Sequence, residues 1–421
     1  MVKAKRNAQN QQAGVWLTLL LAMLVLLNYV DRGAVGIAAP KLKDELMLSA
    51  TAFGIAVSAF SWIYAPAQFA VGWLSDRFCV YRMVAAGLVV WSVATFLTGF
   101  ANGVVMLVAL RLMLGIGEGV AFPSASKIIA RHVSAGRRGL ANSTVAAALY
   151  WGPALGTFAG GLILAYYGWR PIFMIFGAVT LLWIVPWLLV SRPQWASYSK
   201  GSGNDVPVGQ VMRNRTVWLM GIGHFANTYG FYFLLAWLPL FLIKVRGLSI
   251  LEMTAMTTIV YIVQGFGALA WGWVSDRLVM SGWDEGRVRK GLMGIYMLVS
   301  AAAIVGIGFA TTPSAIFACL LLNAGFSGIG GTNCYAIAQI YAGPEASGTW
   351  VGVMNGVGNI SGIVGPIITG ILIQQTGSYM SAFVLSAVIL TAGGIWWMVA
   401  LPVVTPLDLS AGSRVVRLAM A

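Results

Sequence analysis

Four charged residues fall inside apolar stretches of the sequence, and they are where chemistry is most expected. Two are acids, Asp31 and Glu118, and two are bases, Arg32 and Arg111. A charged side chain at the centre of a bilayer costs at least about 2.5–3.5 kcal/mol, so such residues usually mark a pathway or a proton relay. The other acidic residues all fall in loops or at the ends of apolar stretches. These four residues therefore form the candidate site.

The spacing of the four residues restricts how they can be arranged. Arg111 and Glu118 are seven residues apart, which places them within about 20° of one helix face and roughly 10 Å apart along the axis. Asp31 and Arg32 are neighbours, about 100° apart on a helix, so at most one of them points straight towards a central axis. With both carboxylates ionised, the four charges cancel and each arginine can be neutralised internally.

This charge balance predicts a coupled reaction. Protonation of Asp31 and Glu118 would leave two uncompensated guanidinium groups in a low-dielectric cavity, where a carboxylate ligand is strongly favoured. Loss of the protons would return both arginines to their internal partners and release the anion. A proton and an organic anion would then favour each other's binding. The alternative is an ion-pair network that only holds two helices together, with Arg32 serving as a gate.

The composition indicates that lipid surrounds most of the chain. Hydrophobic residues make up 59% of the sequence, charged residues 9%, and the mean hydropathy is +0.83. A soluble protein carries about 25% charged residues. Since a span needs about 20 apolar residues, the length allows twelve spans and short loops. The predicted spans are about 15–38, 52–75, 83–101, 103–128, 139–165, 170–191, 216–243, 252–276, 291–310, 314–341, 348–374 and 379–402.

The distribution of basic residues predicts the orientation. The net charge of +14 would suggest nucleic acid in a soluble protein, but cytoplasmic loops of membrane proteins also collect Lys and Arg. Of the 26 basic residues, Arg32 and Arg111 lie inside spans, and nineteen lie on one side of the membrane. The remaining five lie on the other side: Lys41, Lys43, Arg170, Lys244 and Arg246. This bias predicts that both termini are cytoplasmic, in the cell (inner) membrane.

A seven-residue motif recurs in the two halves of the chain. The segment 72–78 reads GWLSDRF and the segment 272–278 reads GWVSDRL. Both copies end the second span of a six-span half, which predicts a parallel repeat related by an axis along the membrane normal. The predicted domains are an N-terminal six-helix bundle (1–191), a cytoplasmic linker (192–215) rich in Gly, Ser and Pro, and a C-terminal six-helix bundle (216–421).

With its motifs after spans two and eight, the sequence resembles the major facilitator superfamily over nearly its whole length. Within that superfamily, the segments Asn28–Arg32 (NYVDR) and Arg111–Glu118 (RLMLGIGE) resemble the anion:cation symporter family. That family includes bacterial importers of sugar acids and aromatic acids. The glutamine that bacterial sugar-acid members commonly carry in span five is absent here, where residues 148–151 read ALYW.

The resemblance implies a rocker-switch transporter in which protons drive the uptake of a small organic anion. Asp31 and Glu118 would be the proton-coupling acids, and Arg32 and Arg111 would bind the anion. Tyr64 matches a substrate-site tyrosine of the family.

Other polar residues complete the predicted site. Tyr29 precedes the pair of charges in span one, and the uncharged C-terminal half offers hydrogen-bonding groups. These are Asn227, Tyr232, Thr332, Asn333, Asn355 and Asn359, with Asn359 and Asn355 preferred as substrate contacts. Each is also a candidate for a purely structural role.

The repeated motif predicts a conformational latch. At the cytoplasmic edge, the acids Asp76 and Asp276 would lie at the N-terminus of a neighbouring helix, with Arg77 and Arg277 as partners. The alternative is that these charges only set the topology.

Three other functions remain open at this point. An exporter of drugs or metabolites driven by protons would also carry an acid in span one, but paired arginines disfavour cationic drugs. A membrane sensor without transport would need a signalling domain, for which the linker and tail leave no room. An enzyme is disfavoured because the spans lack clustered His, Cys or metal ligands. We expect no cofactor other than the coupling proton, no metal, no nucleic acid and a functional monomer.

Overall fold

The computed structural model describes residues 2–47, 50–197 and 206–409, and in these ranges the chain is helical without any strand. The twelve predicted spans are confirmed. They are formed by helices Val2–Glu45, Ala50–Arg77, Val80–Thr98, Val104–Glu118 with Ala121–His132, Arg138–Tyr167, Arg170–Leu182 with Ile184–Ser197, Arg215–Lys244, Ile250–Met280, Glu285–Phe309, Pro313–Thr376, which crosses twice, and Met380–Val399.

The helix Pro313–Thr376 contains spans ten and eleven and turns at Gly343. Gly343 has φ 63° and ψ 179°, a backbone conformation that glycine adopts without steric cost. Within the described ranges, nine helical segments are long and apolar enough to cross a membrane, and one of them, Pro313–Gly365, holds both of these spans. Spans two and seven complete the twelve.

The central linker is helical at both of its ends. The last helix of span six continues to Ser197, and a short helix, Val208–Arg213, precedes span seven. Val211 on this short helix is fully buried and packs into the core of the C-terminal half. The segment around the predicted linker is therefore partly joined to the C-terminal bundle, while residues 198–205 lie outside the described ranges.

Span one is held tightly against span five by two glycines. A Cβ atom on Gly152 would lie 2.8 Å from the carbonyl oxygen of Leu26, and one on Gly156 would lie 2.9 Å from the Cα of Val30. Small residues let helix backbones approach this closely inside a membrane. The contact fixes the height and rotation of span one at the residues that immediately precede Asp31 and Arg32.

The two halves meet at the end of the bundle where the loops after spans two, four and eight lie, which we call the basic end. There Gly72 of span two faces Gly352 of span eleven so closely that a Cβ on Gly72 would lie 2.8 Å from the Gly352 Cα. Asn142 of span five and Gln339 of span ten also exchange hydrogen bonds between the halves. The passage between the halves is therefore closed at the basic end.

A polar cluster joins three segments at the opposite end of the N-terminal half. Glu45, which ends the helix Val2–Glu45 beyond the predicted end of span one, accepts hydrogen bonds from Trp169 Nε1 at 2.6 Å and from Arg170 Nε at 3.0 Å. Arg170 also donates to the carbonyl oxygens of Gly99 and Ala101. The hydrogen bond from Trp169, followed by the effect of Arg170, lowers the pKa of Glu45 below its ordinary value.

Candidate functional site

Arg32 and Glu118 form a direct ion pair inside the N-terminal half. Arg32 donates to one carboxylate oxygen, Oε2, through Nε at 3.0 Å and through its terminal nitrogen at 2.7 Å. The Glu118 side chain is fully buried, whereas that of Arg32 is 21% exposed. The exposed part of the guanidinium group is thus the only part of this pair that a ligand can approach.

Three aromatic rings surround the Arg32 guanidinium group. Its central carbon lies 4.5 Å from the ring centre of Tyr29, 4.7 Å from that of Phe60 and 4.8 Å from that of Tyr64. A cation at this distance from a ring face is attracted by the ring quadrupole, more strongly where water is excluded. The rings therefore hold the charge in position together with Glu118. The predicted residues Tyr29, Tyr64, Arg32 and Glu118 thus lie together.

Asp31 points away from this cluster, into the interior of the N-terminal half. Its Oδ2 accepts hydrogen bonds from Trp91 Nε1 at 3.0 Å and from Thr95 Oγ1 at 3.2 Å, both in span three. The side chain is 4% exposed, and Oδ1 is buried without a hydrogen-bond partner among the described residues. Asp31 therefore receives its hydrogen bonds from uncharged donors. Because Asp31 and Arg32 are consecutive residues on one helix, their side chains point in different directions.

Arg111 lies inside the N-terminal half, near both carboxylates. Its side chain is 7% exposed, its Nε has no hydrogen-bond partner among the described residues, and Glu118 and Asp31 are the charges that act on it. Neither Arg32 nor Arg111 is among the described residues that line the central cavity, but Arg32 lies against Tyr29 and Tyr64, which do line it. Both arginines were predicted to be neutralised by internal acids, and Arg32 does form an ion pair with one. For Arg111, a direct role in ligand binding stays a prediction.

A cavity with an empty volume of about 1210 Å³, including space open to solvent, lies between the two halves. Tyr29 and Tyr64 line it from the N-terminal half, and Asn355 and Asn359 line it from span eleven. Ligand sites commonly lie between the helices of bundles and at domain interfaces, which is where this cavity lies. Four of the predicted substrate-binding residues, two from each half, therefore line the same cavity.

The amides of span eleven are oriented by tyrosines. Asn359 Oδ1 accepts a hydrogen bond from Tyr232 at 2.7 Å, and Asn355 Oδ1 accepts one from Tyr335 at 3.0 Å. Asn227 similarly accepts from a tyrosine of span nine, Tyr296, at 2.7 Å. Fixed amide orientations suit a site that distinguishes donors from acceptors.

Two of the predicted hydrogen-bonding residues lie elsewhere. Thr332 donates to the carbonyl oxygen of Gly328 in its own helix, and Asn333 receives a long hydrogen bond from Arg289 at 3.4 Å. Both are fully buried, and neither is among the described residues that line the cavity. Their polar groups serve the packing of span ten because the cavity lies on another face of that helix.

The second copy of the repeated motif connects the halves at the basic end. Asp276 accepts hydrogen bonds from the backbone N–H groups of Gly139 at 2.9 Å and Leu140 at 2.8 Å, which begin span five. A carboxylate at a helix N-terminus satisfies free N–H groups and complements the helix dipole. The predicted position of Asp276 at a neighbouring helix N-terminus is therefore observed.

The arginine that pairs with Asp276 differs from the predicted one. Arg289 of span nine, which is fully buried, lies 3.1 Å from Asp276 and 2.9 Å from Glu285. The guanidinium of Arg277 lies instead over the ring of Trp273, at 5.7 Å, because adjacent residues on a helix point in different directions. In the first copy Arg77 lies over Trp73 at 4.7 Å. The side chain of Asp76 lies outside the described residues.

Comparison with known proteins identifies the family. The model of the Major Facilitator Superfamily matches residues 21–283 and, in a second match, residues 220–416. The chain belongs to the Major Facilitator Superfamily. As a member of that superfamily it is a membrane transporter and not an enzyme, as the sequence predicted.

Several transporters are similar to this chain in sequence or in fold. A probable sulfoacetate transporter of Cupriavidus necator is 28% identical over 406 residues, covering 92% of this chain and 93% of the relative. The hexuronate transporter of Bacillus subtilis is 29% identical over 398 residues, with 92% and 93% covered. In fold, the chain is similar to a proton:xylose symporter, with a TM-score of 0.76, 15% identity and 96% and 99% covered.

Several contacts of this facilitator were not predicted from the sequence. Trp91 and Thr95 bind Asp31, and Phe60 completes the rings around Arg32. Tryptophan and phenylalanine are common throughout an apolar chain, so neither carried a distinguishing signal. Arg289 was counted only as a topology-setting base, although its position four residues after Glu285 is a spacing at which opposite charges meet on a helix.

Proposed function

We propose that this transporter takes up a small organic anion together with protons by alternating access. The observation that carries the proposal is the ion pair between Glu118 and Arg32, whose guanidinium group packs against Tyr29 and Tyr64, two residues that line the central cavity. An arginine that a protonatable acid occupies can bind either that acid or a substrate carboxylate. The sulfoacetate and hexuronate named for its relatives are both organic anions, which supports this class of substrate.

The coupling follows from competition for the Arg32 guanidinium group. While Glu118 is ionised, its Oε2 takes two of the N–H donors of Arg32. A proton on Glu118 removes the negative charge, and the exposed part of Arg32 then binds a substrate carboxylate by charge-assisted hydrogen bonds. Release of the proton restores the internal pair and expels the anion. Proton and anion thus raise each other's affinity by the same factor.

Asp31 supplies a second protonation site that is separate from the cavity. Trp91 and Thr95 bind one of its oxygens, and the other oxygen is free to carry a proton within the described surroundings. Arg111 lies near both acids and is the cation that protonation of Asp31 would leave unbalanced. In this scheme Arg32 binds the substrate, and Arg111 links the two protonation sites.

Alternating access requires the basic end to open after the ligand binds. The Asp276 contacts with span five and the exchange between Asn142 and Gln339 must break in that step. By the distribution of basic residues, we place this end and both termini on the cytoplasmic side of the cell membrane. The structure is then closed towards the cytoplasm, and the protein works as a monomer.

The test is uptake by purified protein in proteoliposomes. A panel of sugar acids, aromatic acids, aliphatic monocarboxylates and dicarboxylates is offered with and without an imposed inward proton gradient. We expect at least one carboxylate to accumulate only with the gradient. Arg32→Lys should reduce that uptake at least about tenfold, because lysine keeps the charge but loses the planar donor pair and the ring stacking.

The matched control is Arg287→Lys, which makes the same change at an exposed position at the basic end of span nine. It should leave uptake within a factor of two of the unaltered protein. Accumulation that ignores the proton gradient, or equal uptake by the two variants, would contradict the proposed coupling.

A further inference from the structure

The central cavity extends into the C-terminal half, where polar side chains have no partners. Gln264 of span eight and Ser300 of span nine both line this part of the cavity. Gln264 is 6% exposed and Ser300 is 1% exposed. The Gln264 oxygen has no hydrogen-bond partner among the described residues, and the Ser300 hydroxyl, which lies near the Tyr296 hydroxyl, makes no hydrogen bond of good geometry. A third polar side chain, Asn323 of span ten, is 5% exposed and lines the same part.

Buried polar groups without partners need a physical reason. More than about 90% of such groups in proteins are hydrogen-bonded, and leaving one unpaired costs about 1–3 kcal/mol. Two such groups on adjacent helices, both facing one cavity, are explained if the cavity receives a molecule that bonds to them.

We propose that Gln264, Ser300 and Asn323 form a second recognition subsite for an uncharged hydrogen-bonding group at the far end of the substrate. The inference rests on the proposed function, in which Arg32 binds the carboxylate at the other end. A glutamine amide both donates and accepts, as does a serine hydroxyl, so either residue can bond to a substrate hydroxyl.

The walls of the cavity define the rest of the substrate. Ile304, Leu320 and Leu390 line the extension beside the polar groups, so the body of the molecule is apolar. No Asp, Glu, Lys or Arg is present among the described residues that line the cavity, and Arg32 lies next to that lining, against the rings of Tyr29 and Tyr64. His224 also lines the cavity, and its Nδ1 lies 3.4 Å from the Asn227 amide nitrogen and 3.5 Å from the Cys334 sulfur.

A second carboxylate in this extension would therefore be buried without a charged partner, at a high desolvation cost. The substrate class is an elongated monocarboxylate with a neutral polar end, and a dicarboxylate of equal length is disfavoured.

The test compares three linear acids of equal chain length in the proteoliposome assay: 6-hydroxyhexanoate, hexanoate and adipate. The variants are Ser300→Ala and Gln264→Leu, which each remove hydrogen-bonding groups from the subsite. The matched control is Ser386→Ala in span twelve. Ser386 is also fully buried without a hydrogen-bond partner among the described residues, but it does not line the cavity.

We expect the unaltered protein to prefer 6-hydroxyhexanoate over hexanoate by about threefold to tenfold, the effect of one good hydrogen bond. Ser300→Ala and Gln264→Leu should bring that ratio close to one with hexanoate uptake retained, and Ser386→Ala should leave the ratio unchanged. Adipate should be the poorest of the three. Should Gln264→Leu fail to fold, Ser300→Ala, which removes a single oxygen atom, decides the matter.

The inference is overturned if the ratio is the same in Ser300→Ala as in the unaltered protein, or if adipate is preferred. It is also overturned if none of the three acids is taken up while another carboxylate shows uptake that depends on Arg32 and on protons. In that case the proposed function stands. If no carboxylate of any kind is transported, the proposed function itself fails and the subsite fails with it.

Discussion

Asn142 and Gln339 exchange two hydrogen bonds between the halves of the molecule. The Asn142 amide donates to Gln339 Oε1 at 3.0 Å, and the Gln339 amide donates back to Asn142 Oδ1 at 3.1 Å. Gln339 is fully buried and Asn142 is 5% exposed. Ser126 of span four lies 3.4 Å from the same Gln339 nitrogen. An uncharged pair therefore holds the basic end closed beside the charged contacts of Asp276.

Replacing Gln339 by leucine should shift the protein towards the form that is open at the basic end. The change leaves the Asn142 amide buried without its partner, which costs about 1–3 kcal/mol, or roughly five- to 150-fold in the ratio of the two forms. The shift is measured as the distance distribution between spin labels at positions 134 and 281, in a background without the native cysteines. Replacing both Asn142 and Gln339 by leucine should restore part of the closed form, and an unchanged distribution in the single variant would argue against this gate.

Replacing Glu118 by glutamine should separate transport from its driving force. The amide is close in shape to a permanently protonated acid and no longer competes as an anion for Arg32. We expect exchange of internal for external anion to continue, while accumulation driven by a proton gradient falls at least about tenfold. Glu345→Gln, at an exposed position before span eleven, is the control and should accumulate normally. Unaltered accumulation by Glu118→Gln would remove Glu118 from the coupling role.

Replacing Arg289 by alanine should destabilise the protein far more than replacing Arg277. Arg289 is fully buried between Asp276 and Glu285, and breaking a buried ion pair on one side costs about 3–5 kcal/mol. Arg277 lies over Trp273 in a looser contact. The thermal unfolding midpoint of purified protein should fall by about 5–10 °C for Arg289→Ala and by about 2 °C or less for Arg277→Ala. Equal losses would show that Arg277 is as important to the latch as Arg289.

Glu45 predicts a stability difference that depends on pH. Trp169 and Arg170 lower its pKa in the folded protein, so the ionised form stabilises the fold above the unfolded-state pKa of about 4.3. That contribution is lost as the pH falls through the lowered folded-state pKa. Glu45→Gln should therefore unfold at a slightly lower temperature than the unaltered protein at pH 7, and this difference should shrink as the pH falls through the folded-state pKa. The side chain is half exposed, so the difference at pH 7 is small. A difference that persists unchanged to pH 3 would exclude the ionised carboxylate as its source.

The sequence predicted the number and positions of the membrane spans better than the contacts between side chains. Span number and the four buried charges follow from composition and position, because lipid excludes charge from most of each span. The partners of those charges depend on how each helix is rotated. Because consecutive residues are 100° apart on a helix, rotation decides whether Asp31 or Arg32 lies beside the cavity tyrosines. Trp91 could be recognised as the partner of Asp31 only once spans one and three were placed side by side.

In the C-terminal half, too, the sequence did not show which polar side chains reach the cavity. Asn355 and Asn359 were selected correctly as residues near the cavity, but Thr332 and Asn333 were selected by the same reasoning and face their own bundle. Gln264 and Ser300 were passed over because a single polar residue in a span carries no sign of whether it has a partner. That information exists only in the packed structure.

The rings around Arg32 have a consequence for the entropy of binding. A long side chain that loses its counter-ion usually regains many rotamers, and a ligand must then immobilise it again at a cost of about 0.5–1.5 kcal/mol. With Tyr29, Phe60 and Tyr64 each within 5 Å, the guanidinium group keeps its place whether or not Glu118 carries a proton. The binding surface is therefore preorganised before the anion arrives. Trimming any one of these rings should weaken binding by loosening the arginine, even for an anion too small to touch the ring itself.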